Sequence, residues 1–221
     1  MARDATATRE SLLATARRLF ARDGIYQVPL KQVVQESGQR NTSALHYHFG
    51  NRDALLYAII GRADSAIEAE RADMLAALDA DGRLDDLAAL VEALVVPFSR
   101  PLATQEGREF LAIIAQMSST FDRWDVVADE VPTQAQRTFR LIEACLADVP
   151  PAVRHERVTV FLGLTTEALA RRARHVDRGD TPALAHDEFV RNLVDMSVGA
   201  LRAPATTSAL HLPVANLEER P

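Results

Sequence analysis

A run of eight residues, from Thr42 to Phe49, carries side chains that could bind nucleic acid. Leu45 and Phe49 are four residues apart, so in a helix both would point to the same buried side. The opposite side would present hydroxyl, imidazole and phenol groups, which can meet base edges and phosphates. The residues on that side are Thr42, Ser43, His46 and Tyr47. The spacing therefore predicts a helix that packs by one face and can bind DNA by the other.

Positive charge is concentrated around this run, although the whole chain is acidic. Residues 1–62 carry nine lysines and arginines against five acidic residues, whereas the full chain of 221 residues has a formal charge of −6. Lys31 and Arg40 are cations close to the run. A basic segment in an acidic protein is typical of contact with a polyanion, because phosphates attract that segment alone. Chance clustering of surface charge is the alternative interpretation.

Other reactive residue types lack the spacing that catalysis or metal binding requires. His46 and His48 are two residues apart, so they would not face the same way on a helix, and we expect no metal site. Cys145 lies in an apolar helical pattern and is expected in the core rather than as a nucleophile. No segment has the spacing of a nucleophile elbow, a phosphate loop or a metalloprotease helix. We therefore expect neither an enzyme nor a bound cofactor.

Helices must position these residues, because apolar residues recur at the helical period and no long alternating pattern favours a strand. The predicted helices cover 8–23, 30–37, 42–49, 53–78, 84–96, 104–118, 133–146, 152–176 and 183–201. The first three form a long helix followed by two short helices joined by a tight turn. That arrangement can place the third helix in the major groove of DNA.

Capping and helix-breaking residues set the predicted boundaries. These residues are Gly24, Pro29, Gly38, Asn51, Pro97, the pair Thr133 and Gln136, and the pair Thr181 and Pro182. Pro97 is expected to end its helix, because proline has no amide to donate. Ile25 and Tyr26 are expected to fold back onto the first helix.

Loss of the helical period after Arg202 suggests where the folded part ends. We predict a helix-turn-helix domain over 6–66, a larger helical domain over 67–202, and a flexible tail over 203–221. No apolar run reaches membrane-spanning length, and the N-terminus lacks the apolar stretch of a signal peptide. The single cysteine fits a reducing compartment. We therefore expect a cytoplasmic protein with no membrane partner.

Residues 24–56 read GIYQVPLKQVVQESGQRNTSALHYHFGNRDALL, and this stretch resembles the DNA-binding region of TetR-family repressors. The ending HDEFVRNLVDMSVGAL is similar to the last helix of that family. The resemblance implies an all-α fold with an N-terminal three-helix helix-turn-helix domain, followed by a larger helical ligand-binding and dimerisation domain. It also implies that Tyr47, His48 and Arg52 approach phosphates. The full predicted DNA-binding set is Lys31, Arg40, Asn41, Thr42, Ser43, His46, Tyr47, His48 and Arg52.

The chain departs from the usual pattern of that family at several positions. The turn between Gly38 and Ala44 is one residue longer than the commonest turn, so individual base contacts are not carried over from the family. Pro29 stands where the family often has a capping serine or threonine, so we expect no side-chain contact with phosphate there. His46 replaces a more common tyrosine, and Arg52 stands where the family usually has lysine.

Aromatic residues are dense between residues 84 and 146, in a chain that is only 5% aromatic. Ligand sites prefer apolar walls with a few polar anchors, and the resemblance implies a pocket in this region. The predicted lining is Phe98, Arg108, Phe110, Gln116, Met117, Phe121, Trp124 and Phe139. We expect a small apolar molecule as the effector.

Small residues accompany the apolar stripes of the last two predicted helices, which allows helices to approach closely. We predict that these helices pair with their copies in a four-helix homodimer interface. The predicted interface residues are Phe161, Leu164, Ala168, Phe189, Leu193 and Met196. A dimer would hold its two recognition helices about 34 to 36 Å apart, and so select palindromic double-stranded DNA.

The sequence therefore predicts a homodimeric transcriptional repressor that a small apolar ligand releases from a palindromic operator. The long helix predicted over 53–78 belongs to both domains and could transmit a tilt between them. The alternative is a dimeric helical ligand-binding module that has lost sequence-specific DNA binding.

Overall fold

The protein is described by a computed structural model over residues 2–39, 43–118 and 133–205. The residues in these ranges form α-helices and one short 3-10 helix, and they contain no strand. The helices are α1 (Ala2–Asp23), α2 (Leu30–Glu36), α3 (Ser43–Phe49), α4 (Arg52–Ala80), α5 (Leu87–Ser99), α6 (Gln105–Ser118), α7 (Gln134–Ala144), α8 (Pro151–Asp177) and α9 (His186–Arg202), with the 3-10 helix at Arg100–Ala103. The predicted all-α fold is confirmed. Residues 206–221 of the predicted tail lie outside the described ranges.

Capping interactions explain several helix boundaries. Gly24 and Gly38 have φ angles of 103° and 76°, which other residues rarely adopt, and each follows the end of a helix. At the start of α4, the Asn51 side chain accepts a hydrogen bond from the Ala54 amide at 2.8 Å. At the start of α7, Thr133 and Gln136 form the predicted capping box. The sequence signals at these boundaries are confirmed.

Pro97 does not end α5, which continues to Ser99. A proline inside a helix has no amide to donate to the carbonyl four residues earlier, which here belongs to Ala93. Arg71 of α4 supplies the missing donor, since its Nε donates to the Ala93 carbonyl oxygen at 3.2 Å. The predicted limit at Pro97 was wrong because a residue distant in sequence satisfies the carbonyl.

Two other helices begin later than predicted. α5 begins at Leu87 rather than near residue 84, because the Asp86 carboxylate caps it and accepts from the Ala88 amide at 3.1 Å. α9 begins at His186 rather than near residue 183. There the Glu188 carboxylate accepts from the Ala185 amide at 3.0 Å. This cap places the first turn of α9 after Pro182 rather than at it.

Buried apolar side chains form two clusters that α4 connects. We call α1, α2, α3 and residues 52–60 of α4 the head, and residue 61 onward the body. Ile60 packs against both clusters. α6 belongs to the body but contributes to both cores, since Ile113 is buried in the head cluster whereas Phe110 and Leu111 lie in the body cluster. The two parts are therefore joined by two helices.

Candidate DNA-binding surface

Helix α3 packs by one face and presents the other to solvent. Leu45 and Phe49 are buried in the head core, as their spacing predicts. Tyr47 is 82% exposed, and its ring meets the His48 ring edge-on at a centroid distance of 5.0 Å. His46 is exposed, and its Nδ1 lies 2.7 Å from the Gly50 carbonyl oxygen. This two-sided helix leaves imidazole and phenol groups available to a partner.

The structure describes only part of the remaining predicted DNA-binding set. Ser43 and Lys31 are exposed, the first on α3 and the second on α2. Pro29 occupies the N-cap of α2 and makes no side-chain cap hydrogen bond. The turn residues Arg40, Asn41 and Thr42 lie outside the described ranges.

Arg52 makes contacts within the protein that the sequence did not predict. Its guanidinium donates to the Ile25 carbonyl and, at 2.8 Å, to the Val28 carbonyl. The group also lies over the Phe20 ring, 5.5 Å from the ring centroid. Arg52 therefore fastens the start of α4 to the turn between α1 and α2.

Most arginines of the basic N-terminal segment are paired within the protein. The pairs join Arg9 and Arg62 to Glu10, Arg17 to Glu106 and Glu109, Arg18 to Glu36, and Arg22 to Asp23. Among the cations of residues 5–39 and 43–62, Lys31 is the one without an ion pair or a backbone hydrogen bond. Fewer cations are therefore available to contact DNA than the number of lysines and arginines in this segment indicates.

Three exposed tyrosines lie on the surface of the head, and only Tyr47 was predicted from the sequence to contact DNA. The chain has three tyrosines in all. Besides Tyr47, Tyr26 is 70% exposed in the turn after α1, and Tyr57 is 69% exposed in α4. The expectation that Tyr26 folds back onto α1 was wrong, because Ile25 alone enters the core there. Exposed phenols of this kind offer both a ring face and a hydroxyl to a partner.

Helix α6 holds the head through polar contacts. The Gln116 Nε2 donates to the Phe20 carbonyl at 2.9 Å, and its Oε1 accepts from the Ile25 amide at 2.9 Å. Met117 packs against the head core beside it. Gln116 and Met117, predicted to line a ligand pocket, therefore lie at the junction between head and body.

The other predicted pocket residues lie in separate contacts. Phe98 and Phe110 pack edge to face with ring centroids 6.2 Å apart. Phe139 packs instead on Phe161, with centroids 6.5 Å apart. Two of the predicted lining aromatics therefore pack on each other, whereas Phe139 packs on Phe161, which was predicted in the dimer interface. Phe121 and Trp124 lie outside the described ranges.

Arg108, the predicted polar anchor, ties α6 to α8. Its Nε donates to the Asp177 carboxylate at 2.5 Å, and its Nη1 donates to the Leu102 carbonyl at 3.2 Å. At the other end of α6, the hydroxyls of Ser118 and Thr166 lie 2.9 Å apart. α6 is thus fixed to α8 near both of its ends.

A buried charged network that was not predicted from the sequence lies inside the body. Arg71 is 3% exposed and donates to Glu68 as well as to Ala93. The other Glu68 oxygen accepts from the Gln134 amide at 2.6 Å and the Ala135 amide at 3.3 Å, at the start of α7. Burial lowers the pKa of Arg71 to about 10, so the group stays charged at neutral pH. The network ties α4, α5 and α7 together.

The sequence did contain a signal for this network. Asp64, Glu68 and Arg71 are spaced four and three residues apart, so they share one side of α4. That side also carries the buried apolar residues Ile67 and Leu75. Charged residues inside an apolar helical stripe indicate buried polar contacts.

The predicted dimer helices carry an exposed apolar surface, which we call the α8–α9 face, formed by Val153, Val160, Leu164, Met196 and Ala200. Val160 is 58% and Met196 is 53% exposed. A groove of about 430 Å³ runs along this face, lined mainly by apolar residues together with Glu156 and Arg157. Of the predicted interface residues, Leu164, Ala168 and Phe189 are half-buried against the core, whereas Phe161 and Leu193 are buried within it.

Cys145 has the surroundings of a structural residue. It is half-buried, and its Sγ donates to the Asp85 carbonyl oxygen at 3.4 Å. Burial and the Asp85 carboxylate raise the pKa of the thiol, which disfavours a reactive thiolate. In the described part of the chain, no three histidine, cysteine, aspartate or glutamate side chains group as metal ligands would. No helix there combines the length and apolarity needed to cross a membrane.

Comparison with known families identifies the class of protein. Residues 12–59 match the family model of bacterial regulatory proteins of the tetR family. Residues 92–200 match the model of the tetracycline repressor-like C-terminal domain. Together the two models cover more than half of the chain, which belongs to the TetR family of DNA-binding transcriptional regulators.

Several solved structures match most of this chain. A gamma-butyrolactone receptor described as an ArpA-like protein is 20% identical, with 88% of this chain and 98% of that chain covered and a TM-score of 0.48. GusR of Salmonella enterica is 22% identical, with coverages of 88% and 95% and a TM-score of 0.42. A protein described as a TetR-family transcriptional regulator from Mesorhizobium loti is 13% identical, with coverages of 89% and 96% and a TM-score of 0.42. No curated protein sequence matches the chain significantly.

Proposed function

We propose that this regulator is a homodimeric repressor that binds a palindromic operator through α3 and leaves it when a small molecule binds the body. The two-sided character of α3 is the observation that carries the proposal. Leu45 and Phe49 fix the helix to the core, while Tyr47 stands 82% exposed on the other side. A helix held in this way can enter the major groove without unfolding the head.

Within this proposal, contacts to DNA come from α3, the turn before it and Lys31. His46 and Ser43 face bases, and Tyr47 and His48 approach the phosphate backbone. Arg40, Asn41 and Thr42 of the turn complete the set.

Arg52 has a different role in this proposal, because its donors are used inside the protein. The guanidinium bonds two carbonyls of the turn between α1 and α2. That turn leads directly into α2, which packs beside α3 in the head core. We therefore assign Arg52 as a positioning residue that orients the helix-turn-helix, rather than as a phosphate ligand.

The α8–α9 face supports the homodimer. A stable monomer rarely exposes neighbouring large apolar residues such as Val160 and Met196. A second copy related by two-fold symmetry would cover the same face on both chains. Sedimentation of the Val160→Asp, Met196→Asp double variant should give a monomer, and Val176→Asp, an exposed valine outside the face, is the matched control.

The DNA-binding proposal is tested by selecting sequences from a random double-stranded library with the full chain. A palindromic consensus with half-sites about one helical turn apart is the expected result. The selected site is then bound by the His46→Ala, Tyr47→Ala variant, with Tyr57→Ala as the control because Tyr57 is similarly exposed. We expect the double variant to lose at least tenfold in affinity, which is the scale of one good base contact.

An alternative function would be a dimeric ligand-binding module that has lost sequence-specific DNA binding. The longer turn before α3 favours it, since that turn changes where α3 begins. Failure of the selection to enrich any sequence, with the dimer intact, would support this alternative and overturn the repressor proposal.

A further inference from the structure

Arg9 of α1 lies beside the DNA-facing helix α3. Its guanidinium carbon is 5.1 Å from the centroid of the Phe49 ring, and Phe49 is the last residue of α3. Leu13, one helical turn further along α1, is buried in the head core, so Arg9 borders the packed side of its helix. A cation is attracted to the face of an aromatic ring. Phe49 therefore holds the Arg9 guanidinium next to α3.

The aromatic rings at the end of α3 connect this guanidinium to the exposed side of the helix. The Phe49 and His48 rings have centroids 6.2 Å apart, and the His48 and Tyr47 rings have centroids 5.0 Å apart. Tyr47 and His48 are the residues proposed above to approach the phosphate backbone. The Arg9 guanidinium therefore lies at one end of a series of ring contacts whose other end faces the DNA.

The hydrogen-bond donors of Arg9 are available to a partner. The side chain is 44% exposed, and its Nη1 lies 3.7 Å from a Glu10 oxygen, which is longer than a hydrogen bond. The Glu10 carboxylate is bonded to Arg62, so its charge is already balanced. An arginine side chain carries five N–H donors. Arg9 can therefore turn most of its donors toward an anion without losing a strong contact.

Arg52 makes the same kind of ring contact but has no such freedom. Its guanidinium lies over the Phe20 ring and donates to the carbonyls of Ile25 and Val28. Arg9 rests on a ring and donates to no carbonyl of the described residues. A planar guanidinium with free donors is well suited to the oxygens of a phosphate. Of the two arginines, Arg9 is the one equipped to bind DNA.

We propose that Arg9 is a phosphate ligand of the operator, held by the Phe49 ring at the edge of the DNA-binding surface of α3. The inference rests on the proposed function and adds a residue of α1 to the contacts from α3, its preceding turn and Lys31. Because a phosphate contact carries no base information, Arg9 contributes affinity and leaves the choice of sequence unchanged.

Salt dependence of operator binding tests the inference, with the selected operator as the probe and fluorescence anisotropy as the measurement. Arg9→Gln should reduce the slope of log affinity against log salt by about 1, as expected for one lost phosphate contact. The loss of affinity should be roughly tenfold at low salt. It should be the same for the operator and for versions with one changed base pair. Arg9 is exposed, so the variant should melt at the temperature of the parent.

Arg22→Gln is the matched control, because it removes the same charge from the same helix. Arg22 is also exposed, but its Nε and Nη2 both donate to the Asp23 carboxylate, at 2.7 Å and 2.6 Å. This variant should keep the slope of the parent. Arg9→Lys should also keep the slope, since the charge remains, while affinity falls because an ammonium group stacks poorly and binds as a point charge.

A double-variant cycle tests the role of the ring. Arg9→Gln should cost less affinity in a Phe49→Leu background than in the parent, because leucine fills the core but offers no ring face to the guanidinium. All measurements are made below the melting temperature of every variant. An equal cost in the two backgrounds would overturn the positioning of Arg9 by Phe49.

Two further results would overturn the phosphate contact: an unchanged slope for Arg9→Gln, or an equal fall in slope for Arg22→Gln. The parent separates this inference from the proposed function. A parent that binds its operator while Arg9→Gln changes nothing rejects the Arg9 contact alone. A parent that binds no DNA rejects the proposed function and this inference with it.

Discussion

Two arginines of α4 make the same kind of contact in the head and in the body, in surroundings of different polarity. Arg52 donates to the carbonyls of Ile25 and Val28 at the edge of the head. Arg71 donates to the Ala93 carbonyl inside the body, where it is 3% exposed and paired with Glu68. Arg52 is partly exposed, so water can compete for its contacts, whereas the Arg71 side chain is 3% exposed and meets little water. An arginine bound to backbone carbonyls therefore orients the DNA-binding surface in the head, whereas in the body it stabilises the core.

Arg71→Met should give the largest effect. The variant leaves the Glu68 carboxylate half-buried without its cation and the Ala93 carbonyl without a donor. Breaking a buried pair from one side typically lowers the free energy of unfolding by about 3 to 5 kcal/mol. Urea denaturation followed by circular dichroism measures the change. A variant as stable as the parent would contradict the structural role, and the Glu68→Gln, Arg71→Met pair should recover part of the loss.

Arg52→Ala should act mainly on DNA affinity. We expect a loss of about tenfold, the order of a lost positioning contact, with little change in the slope of log affinity against log salt. Lys31→Ala is the control, because removing a phosphate contact reduces that slope by about 1. A reduced slope for Arg52→Ala as well would show that Arg52 binds phosphate.

Pro97→Ala tests the link between Arg71 and α5. The new amide can donate to the Ala93 carbonyl, which Arg71 otherwise satisfies. The substitution should therefore raise the free energy of unfolding by about 1 kcal/mol more in the Arg71→Met background than in the parent. This difference is the size of one hydrogen bond. Equal effects in the two backgrounds, measured by urea denaturation, would show that the two residues are independent.

Gly61→Ala should give the smallest effect, at a position of α4 between the two arginines. An added Cβ would meet no atom within 4 Å, so alanine can stabilise the helix there without a steric clash. Replacing an exposed helical glycine with alanine typically stabilises by about 0.8 to 1 kcal/mol. A rise in melting temperature is the expected result, and a fall would show that α4 needs a flexible residue between head and body.

Several features with partners close in sequence were predictable, although the local caps at Asp86 and Glu188 were missed, whereas features with distant partners were not predictable. The burial of Leu45 and Phe49 follows from spacing, and the Asn51 cap depends on a residue three positions away. The path of α5 through Pro97 depends on Arg71, and the place of Gln116 depends on the backbone of α1 and the turn after it. Neither pairing has a local signal, so the first was predicted wrongly and the second was missed.

The contacts of α6 with the head also mean that the head cannot be separated from the rest of the chain without losing part of its core. A fragment ending at residue 66 would lack Ile113, which is buried in the head core. It would also lack Gln116, whose side chain hydrogen-bonds the Phe20 carbonyl and the Ile25 amide. Chimeras that graft this head onto the body of a relative would meet the same gap unless the relative's α6 offers a matching surface. Recombination between family members is therefore expected to preserve the head and α6 as a single inherited unit.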